Sequence, residues 1–469
     1  MPRGRSERGV IWSLARARSI RRTASDAFVA ALLVGGVSIA HAAATPGDCA
    51  PGAYRSKDGG IVALTPAPTP GGGLRFTLVS GERGSLSDAT APIVCRDGHL
   101  RDRDAADQDT WSAIPMRQTS TRFRSGDLTL AGMLLEPEGV EHPPLVILVH
   151  GSETTSPRGM YYQELFAAQG IATFAYDKRG TGESTGTYTQ DFFALADDAV
   201  AAAREARHLA AGRYSCLGFF GGSQGGWIAP RAAVKARADF LVVGFGVVGT
   251  AVEQDQWQVD YQLAEAGFGK EVLPPTHQIT ATTGGVARWN FTRGMGRVNA
   301  LEARYENEPW FAKIDGQYSG ELLRGEVDRA RSESPGVPWR YSPLDAVRRF
   351  AGSQLWVFAA DDDVAPSERS VARLRWLPSR NKVSVVVYPH ATHGMRHVEF
   401  GLDGRRTAGD KIVGGYLRLI ADYAKGRASE PYGDGQWIRR EMPDGIVRRP
   451  CSGDQWRNRA NHAAPASDL

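Results

Sequence analysis

Four cysteines in 469 residues are too few for a disulfide-built scaffold. None forms a C-x-x-C pair, and no His/Cys cluster has metal-ligand spacing, so a structural zinc site has no support. No apolar run is long enough to span a bilayer comfortably. No low-complexity block suggests general disorder, and 42% hydrophobic with 23% charged residues is an ordinary globular composition. Surplus charge is missing from the body of the chain as well. The formal charge is +4, but residues 1–42 alone carry seven Arg against Glu7 and Asp26, a net of +5. The nearly neutral remainder gives no electrostatic case for a nucleic-acid partner.

What is present begins with an N-terminal leader pattern. Arg16, Arg18, Arg21 and Arg22 precede an uncharged apolar run over 27–40, and Ala40-His41-Ala42 offers a small-x-small cleavage site. This order is that of a secretory signal over 1–42, which makes the expected mature protein exported, periplasmic or extracellular, without a stable membrane span once the signal is removed. In that compartment Cys49 and Cys95 are expected to pair. Cys216 reads as a buried small apolar side chain, and Cys451 is left over in the tail.

Residues 45–118 are rich in Gly, Pro, Asp and Thr, with short apolar runs at 60–64, 74–79 and 91–94. They read as a small β-rich domain. From about residue 119 the pattern changes. Apolar runs at 144–149, 171–176, 214–220 and 240–245 alternate with helical spacing, as over 192–209. Strands alternating with helices imply a mainly parallel sheet, with functional loops at the carboxyl ends of its strands.

The stretch 214–227 is the centre of the chain. An apolar strand enters Gly221-Gly222-Ser223-Gln224-Gly225, a G-x-S-x-G turn leading into a helix. Such a turn holds a serine hydroxyl in open space beside a helix N-terminus. Alone the pentapeptide is common, and its bland reading is a glycine-rich loop. Its companions matter more. His150-Gly151-Ser152-Glu153 follows the 144–149 strand, and its backbone can supply an oxyanion donor at Ser152 beside that of Gln224, with the His150 imidazole read as structural. The loop 177–184, with Arg179 and two glycines, reads as a structural brace. A strand at 354–359 ends in Asp361, Asp362 and Asp363; another at 382–388 ends in a loop with His390 and His393.

Ser, then Asp, then His is the chain order of the α/β-hydrolases. On these five motifs the chain from about 122 to 424 resembles the α/β-hydrolase superfamily, its dienelactone-hydrolase-like and bacterial carboxylesterase branches. The resemblance implies a triad on Ser223, Asp362 and His393. Ala359 stands where the acid motif of similar enzymes often has glycine, so the choice among the three aspartates rests on spacing to Pro366; Asp361 and Asp363 are expected to face solvent or cap the next helix. His393 is favoured over His390 because Gly394 lets the backbone curl its ring back over the strand ends.

The expected architecture is therefore an α/β-hydrolase fold over 119–425, a helical cap inserted at about 250–345, and a tail over 426–469. Helices are expected in the cap at 251–266 and 320–331, and a last one over 409–424. The cap's many aromatics read first as its own core. The expected function is an exported serine hydrolase cleaving small-molecule carboxylic esters, with an apolar acyl group, through an acyl-enzyme and without a cofactor. A thioesterase or acyltransferase would use the same groups. A serine peptidase and a non-catalytic binding module are the more distant readings.

Overall fold

The computed structural model describes residues 49–67, 71–104, 110–401, 406–429 and 431–440. The expected signal at 1–42 and Cys451 lie outside them.

The main sheet has nine strands, numbered here in chain order: β1 (Met116–Ser125), β2 (Leu128–Pro137), β3 (Leu145–Val149), β4 (Ala172–Tyr176), β5 (Leu217–Gly222), β6 (Phe240–Gly244), β7 (Ser353–Ala359), β8 (Val383–Tyr388) and β9 (Gln436–Arg439). Across the sheet they run β9-β8-β7-β6-β5-β3-β4-β2-β1. The six strands β3 to β8 are parallel; β1, β2 and β9 are antiparallel to their neighbours. This is the α/β-hydrolase fold that the sequence led us to expect. The central strands are wholly buried, as their continuous apolar runs require. Strand order reverses at β3, which has β4 on one side and β5 on the other. The loops after β3 and β5 therefore meet at a switch point, where such sheets bind ligands.

Helices cover both faces. The α1 (Tyr161–Ala168) helix packs on one face with a last helix at Tyr416–Ala424, through Phe166, Phe220, Tyr416 and Ile420. The other face carries α2 (Phe192–Leu209) and α3 (Gly225–Lys235), whose alanines lie directly on Leu217, Phe219 and Leu241. Asp191 caps α2 by accepting from Phe193 N–H and Ala194 N–H.

Two sequence expectations change here. The segment over 409–424 is not one helix: Arg406–Ile412 is a strand, and the helix starts only at Tyr416. Gly414 and Gly415 break the run, and Gly415 has a φ of 86° against the backbone of Tyr432, where no side chain fits. The tail expected from residue 426 also returns to the sheet as β9, with Trp437 half-buried and the Arg439 guanidinium donating to the carbonyls of Leu374, Leu377 and Pro378. A strand of four residues is too short to be legible as alternation.

The N-terminal region is a five-stranded antiparallel sheet, in the order Arg83–Ser85, Leu74–Leu78, Ile61–Pro66, Gly52–Arg55 and Ser112–Ala113, beside a separate pair, Ile93–Arg96 with His99–Asp102. Its core is Val62, Leu64, Phe76, Ile93 and Leu100. Cys49 and Cys95 are joined across 46 residues. Cys216 is buried, as expected, but it is disulfide-bonded, which corrects its reading as merely a small apolar side chain. A buried thiol and a buried half-cystine look alike in sequence.

The insertion between β6 and β7 is helical: α4 (Ala251–Glu265), α5 (Leu273–Ala287), α6 (Met295–Tyr305), α7 (Ser319–Leu323) and α8 (Val327–Glu333). Thr250 and Glu253 form a full capping box at its entry. The stretch expected to be helical at 320–331 is split between α7 and α8 by Gly325, whose φ is 72°. Phe291, Tyr318 and Trp339 pack edge to face inside the cap, with ring centres 5.1–6.0 Å apart. These aromatics form the cap's own core. No helix among the described residues is long and apolar enough to cross a membrane.

Candidate active site

Ser223 is the link between β5 and α3, with a φ of 51°. A non-glycine residue in the left-handed region is strained and persists only where its surroundings enforce it. The surroundings here are backbone. A side chain on Gly225 would meet the Val149 carbonyl oxygen at 2.4 Å; one on Gly221 would meet the Gly225 carbonyl oxygen at 2.6 Å; one on Gly226 would meet Gly246 at 2.9 Å. The glycines of the motif let the strand, the turn and the helix touch. Ser223 N–H donates to the Gly244 carbonyl at 3.1 Å and fixes the turn on β6.

The serine hydroxyl lies 3.0 Å from His393 Nε2. His393 Nδ1 lies 3.0 Å from each carboxylate oxygen of Asp362. Asp362 is 1% exposed, and its Oδ1 also accepts from Val364 N–H at 3.0 Å and Ala365 N–H at 2.7 Å. Phe245 packs edge-on to the imidazole at 5.2 Å. Burial disfavours the imidazolium, but the Asp362 carboxylate outweighs it and raises the His393 pKa above the ordinary value. A hydroxyl bonded to an imidazole that a buried carboxylate orients is the arrangement of an activated nucleophile.

The structure thus brings Ser223, Asp362 and His393 together and separates them from their rivals. His390 turns away and lies by Tyr388, His397 and Asp434. Asp361 pairs with Arg406 at 2.8 Å, and Asp363 is exposed. Of the two roles expected for Asp361 and Asp363, facing solvent or capping the next helix, exposed Asp363 takes the first; the two backbone N–H groups of the turn are taken by Asp362 itself.

The Gln224 and Ser152 amide hydrogens donate to no group among the described residues. Gly151 lies against the serine: a side chain there would come within 3.3 Å of Ser223 Cβ. His150 is enclosed, and burial holds its imidazole below the ordinary value. Glu153 accepts from Gly151 N–H at 3.1 Å; burial opposes its charge, but His150 and Lys178 hold it at about 2.

The loop 177–184 is the brace expected of it. Asp177, fully buried, pairs with Arg158 at 2.9 Å, and Arg179 makes two bonds of 2.7 and 2.8 Å to Asp198 on α2. The same loop also carries Lys178 into the site. Its ammonium contacts the Gly151 carbonyl, and lies 3.3 Å from the Glu153 carbonyl and 3.4 Å from Gln224 Oε1. No local pattern signals this, or the place of Phe245; a lysine beside Asp177 and Arg179 reads as one more surface charge. No group of three or more His, Cys, Asp or Glu side chains among the described residues could hold a metal ion.

Residues 141–291 match the model of the family described as serine aminopeptidase, S33. No curated protein sequence matches the chain. Among solved structures, an esterase of Pyrococcus furiosus is 17% identical, covering 59% of this chain and 84% of its own, with a TM-score of 0.39. Est1E of Butyrivibrio proteoclasticus, solved with ferulic acid bound, is 19% identical, covering 65% and 96%, with a TM-score of 0.37. An acylaminoacyl peptidase of Pyrococcus horikoshii is 14% identical, covering 79% and 55%, with a TM-score of 0.39.

Proposed function

We propose that this chain, a hydrolase of the α/β-hydrolase family, cleaves carboxylic esters of small molecules with Ser223 as nucleophile. Ser223 Oγ attacks the acyl carbonyl while His393 Nε2 takes its proton, and Asp362 stabilises the imidazolium through Nδ1. The negative charge that develops on the carbonyl oxygen is taken by the Gln224 and Ser152 amide hydrogens. His393 returns the proton to the leaving alcohol. Water then enters, loses a proton to His393, and attacks the acyl-enzyme; the acid leaves and Ser223 is restored. No cofactor takes part. The observation that carries this reading is the unbroken line Asp362–His393–Ser223, each link 3.0 Å, ending on a serine held at positive φ.

A panel of p-nitrophenyl esters of increasing acyl length, run on wild type and Ser223→Ala beside a fluorophosphonate probe, tests it. Wild type should hydrolyse esters and take the label, and Ser223→Ala should do neither. Wild type that is inert to both would end the proposal. A preference for longer acyl groups would support the apolar acyl part. The match to the S33 aminopeptidase model favours one second reading, release of an N-terminal amino acid by the same groups; aminoacyl p-nitroanilides turned over faster than any ester would establish it instead. The arginine–apolar–Ala-His-Ala order supports export with cleavage after Ala42, and N-terminal sequencing of the extracytoplasmic protein tests that.

A further inference from the structure

A buried ammonium is expensive unless it is paired or well solvated by dipoles. Lys178 is 3% exposed, and among the described residues no carboxylate lies within ion-pair distance of its Nζ. Its partners are instead three uncharged oxygens: the Gly151 carbonyl, the Glu153 carbonyl and the Gln224 side-chain carbonyl, with the Tyr188 ring 6.0 Å away. These oxygens belong to the two segments that carry the free amide hydrogens beside Ser223.

The Gly151 carbonyl and the Ser152 N–H are the two ends of one peptide group. A trans peptide is planar, and its C=O and N–H point in opposite directions. A donor that holds the Gly151 oxygen therefore decides where the Ser152 hydrogen points. The next peptide is also pinned, because Tyr188 Oη donates to the Ser152 carbonyl at 2.8 Å. On the other side, Gln224 Oε1 faces Lys178 while its Nε2 donates to Gln190 Oε1 at 3.1 Å, and Gln190 Nε2 donates to the Glu333 carbonyl of the cap at 2.6 Å.

We propose that Lys178 is a positioning residue for the oxyanion site: it holds the Gly151 carbonyl and so turns the Ser152 N–H of the same peptide toward the Ser223 reaction centre. The inference rests on the reading of Ser223 as the nucleophile. The positive charge sits at the oxygen end of the peptide and the oxyanion at its hydrogen end. The charge thus strengthens the donor as well as aiming it. The charged and titratable groups around the ammonium are Glu153, His150 and Tyr188. Burial brings the Lys178 pKa down to about 8 against the opposing pull of Glu153, so the cation is the main form at neutral pH and is lost just above it.

The test compares wild type, Lys178→Met and Lys178→Arg on p-nitrophenyl acetate and on a fluorophosphonate, across pH 6–10. A misaimed donor should lower kcat by roughly 10²-fold, in line with the loss of one oxyanion donor, with KM nearly unchanged. The rate of fluorophosphonate labelling should fall by a similar factor, because its phosphoryl oxygen uses the same donors. Wild type should lose kcat along an alkaline limb near pH 8, absent from Lys178→Met and displaced upward in Lys178→Arg. A purely structural lysine would lower thermal stability without changing that limb. Lys178→Met with kcat and labelling within about threefold of wild type overturns the inference, as does an unmoved limb in Lys178→Arg should the Met variant not fold. Wild type that neither labels nor hydrolyses esters sinks the esterase reading and this inference with it; wild type that does both while Lys178→Met matches it sinks this inference alone.

Discussion

Replacing Asp362 by Asn tests the site with the least disturbance of its shape. In the wild type Oδ1 accepts from Val364 and Ala365 N–H, and both oxygens face His393 Nδ1 at 3.0 Å. Asparagine keeps one oxygen. If that oxygen stays on the two backbone donors, the new NH₂ faces Nδ1. The imidazole must then accept at Nδ1 and carry its hydrogen on Nε2, against Ser223, where no lone pair remains to take the serine proton. The flipped amide would instead set NH₂ against two N–H donors in a buried turn, leaving both unsatisfied at about 1–3 kcal/mol each. The first orientation therefore wins, and the fold survives with the wrong tautomer. The expected loss is about 10⁴ in kcat, some 5.5 kcal/mol of transition-state stabilisation, with little change in KM because Asp362 does not meet the substrate. Asp361→Asn removes only a half-exposed pair with Arg406 and should stay within about threefold. Steady-state kinetics with p-nitrophenyl butyrate, beside circular dichroism to establish folding, reads all three aspartates. An Asp362→Asn enzyme with more than about a tenth of wild-type kcat, or an equal loss at Asp363→Asn, would refute the orientation argument.

Other outcomes follow from the same geometry. The acid limb of kcat/KM should lie above the ordinary histidine value, because Asp362 raises His393 and catalysis needs the neutral imidazole, so activity is gained as pH rises through that raised pKa; a limb below pH 6 would count against His393 as the base. Arg179→Met should destabilise the fold by about 3–5 kcal/mol by stranding the fully buried Asp198 carboxylate, and adding Asp198→Asn should restore part of it; thermal melts that show no change would mean the pair is already hydrated. Peptide mapping without reduction should find Cys49 joined to Cys95, a closure worth roughly 3–4 kcal/mol, and no free Cys216 thiol; alkylation of Cys49, Cys95 or Cys216 before reduction would contradict this.

The strands, the elbow and the order of the chemical groups were legible because each is a local pattern. Leu145–Val149 must be buried on both faces since all five of its residues are apolar, and Gly221, Gly225 and Gly226 announce a close approach because the residues they nearly touch leave no space for a Cβ. The position of His393, rather than His390, beside Ser223 has a similar cause: Gly394 has a φ of 75°, the turn that brings the ring back over the sheet. β9 and the Ala391–Thr392 strand were not legible, because neither carries an apolar run or an alternation long enough to read. Nor was the partner of a group whose contacts come from distant parts of the chain.

Lys178 shows that limit most clearly. Its neighbours in sequence are Asp177 and Arg179, and both do what a local reading expects: each forms an ion pair that braces the loop. By the same reading Lys178 should be a third brace facing water. What decides otherwise is the crossing of three segments that meet only when β3, β4 and β5 are assembled side by side, since its oxygens come from residues 27, 25 and 46 positions away. The topology that puts β3 between β4 and β5 is therefore what converts an ordinary lysine into a buried cation behind the Gly151–Ser152 peptide. The switch point does more than open a crevice. It sets the carboxyl end of β4 beside those of β3 and β5, so a side chain that never reaches the substrate can still govern the backbone that does.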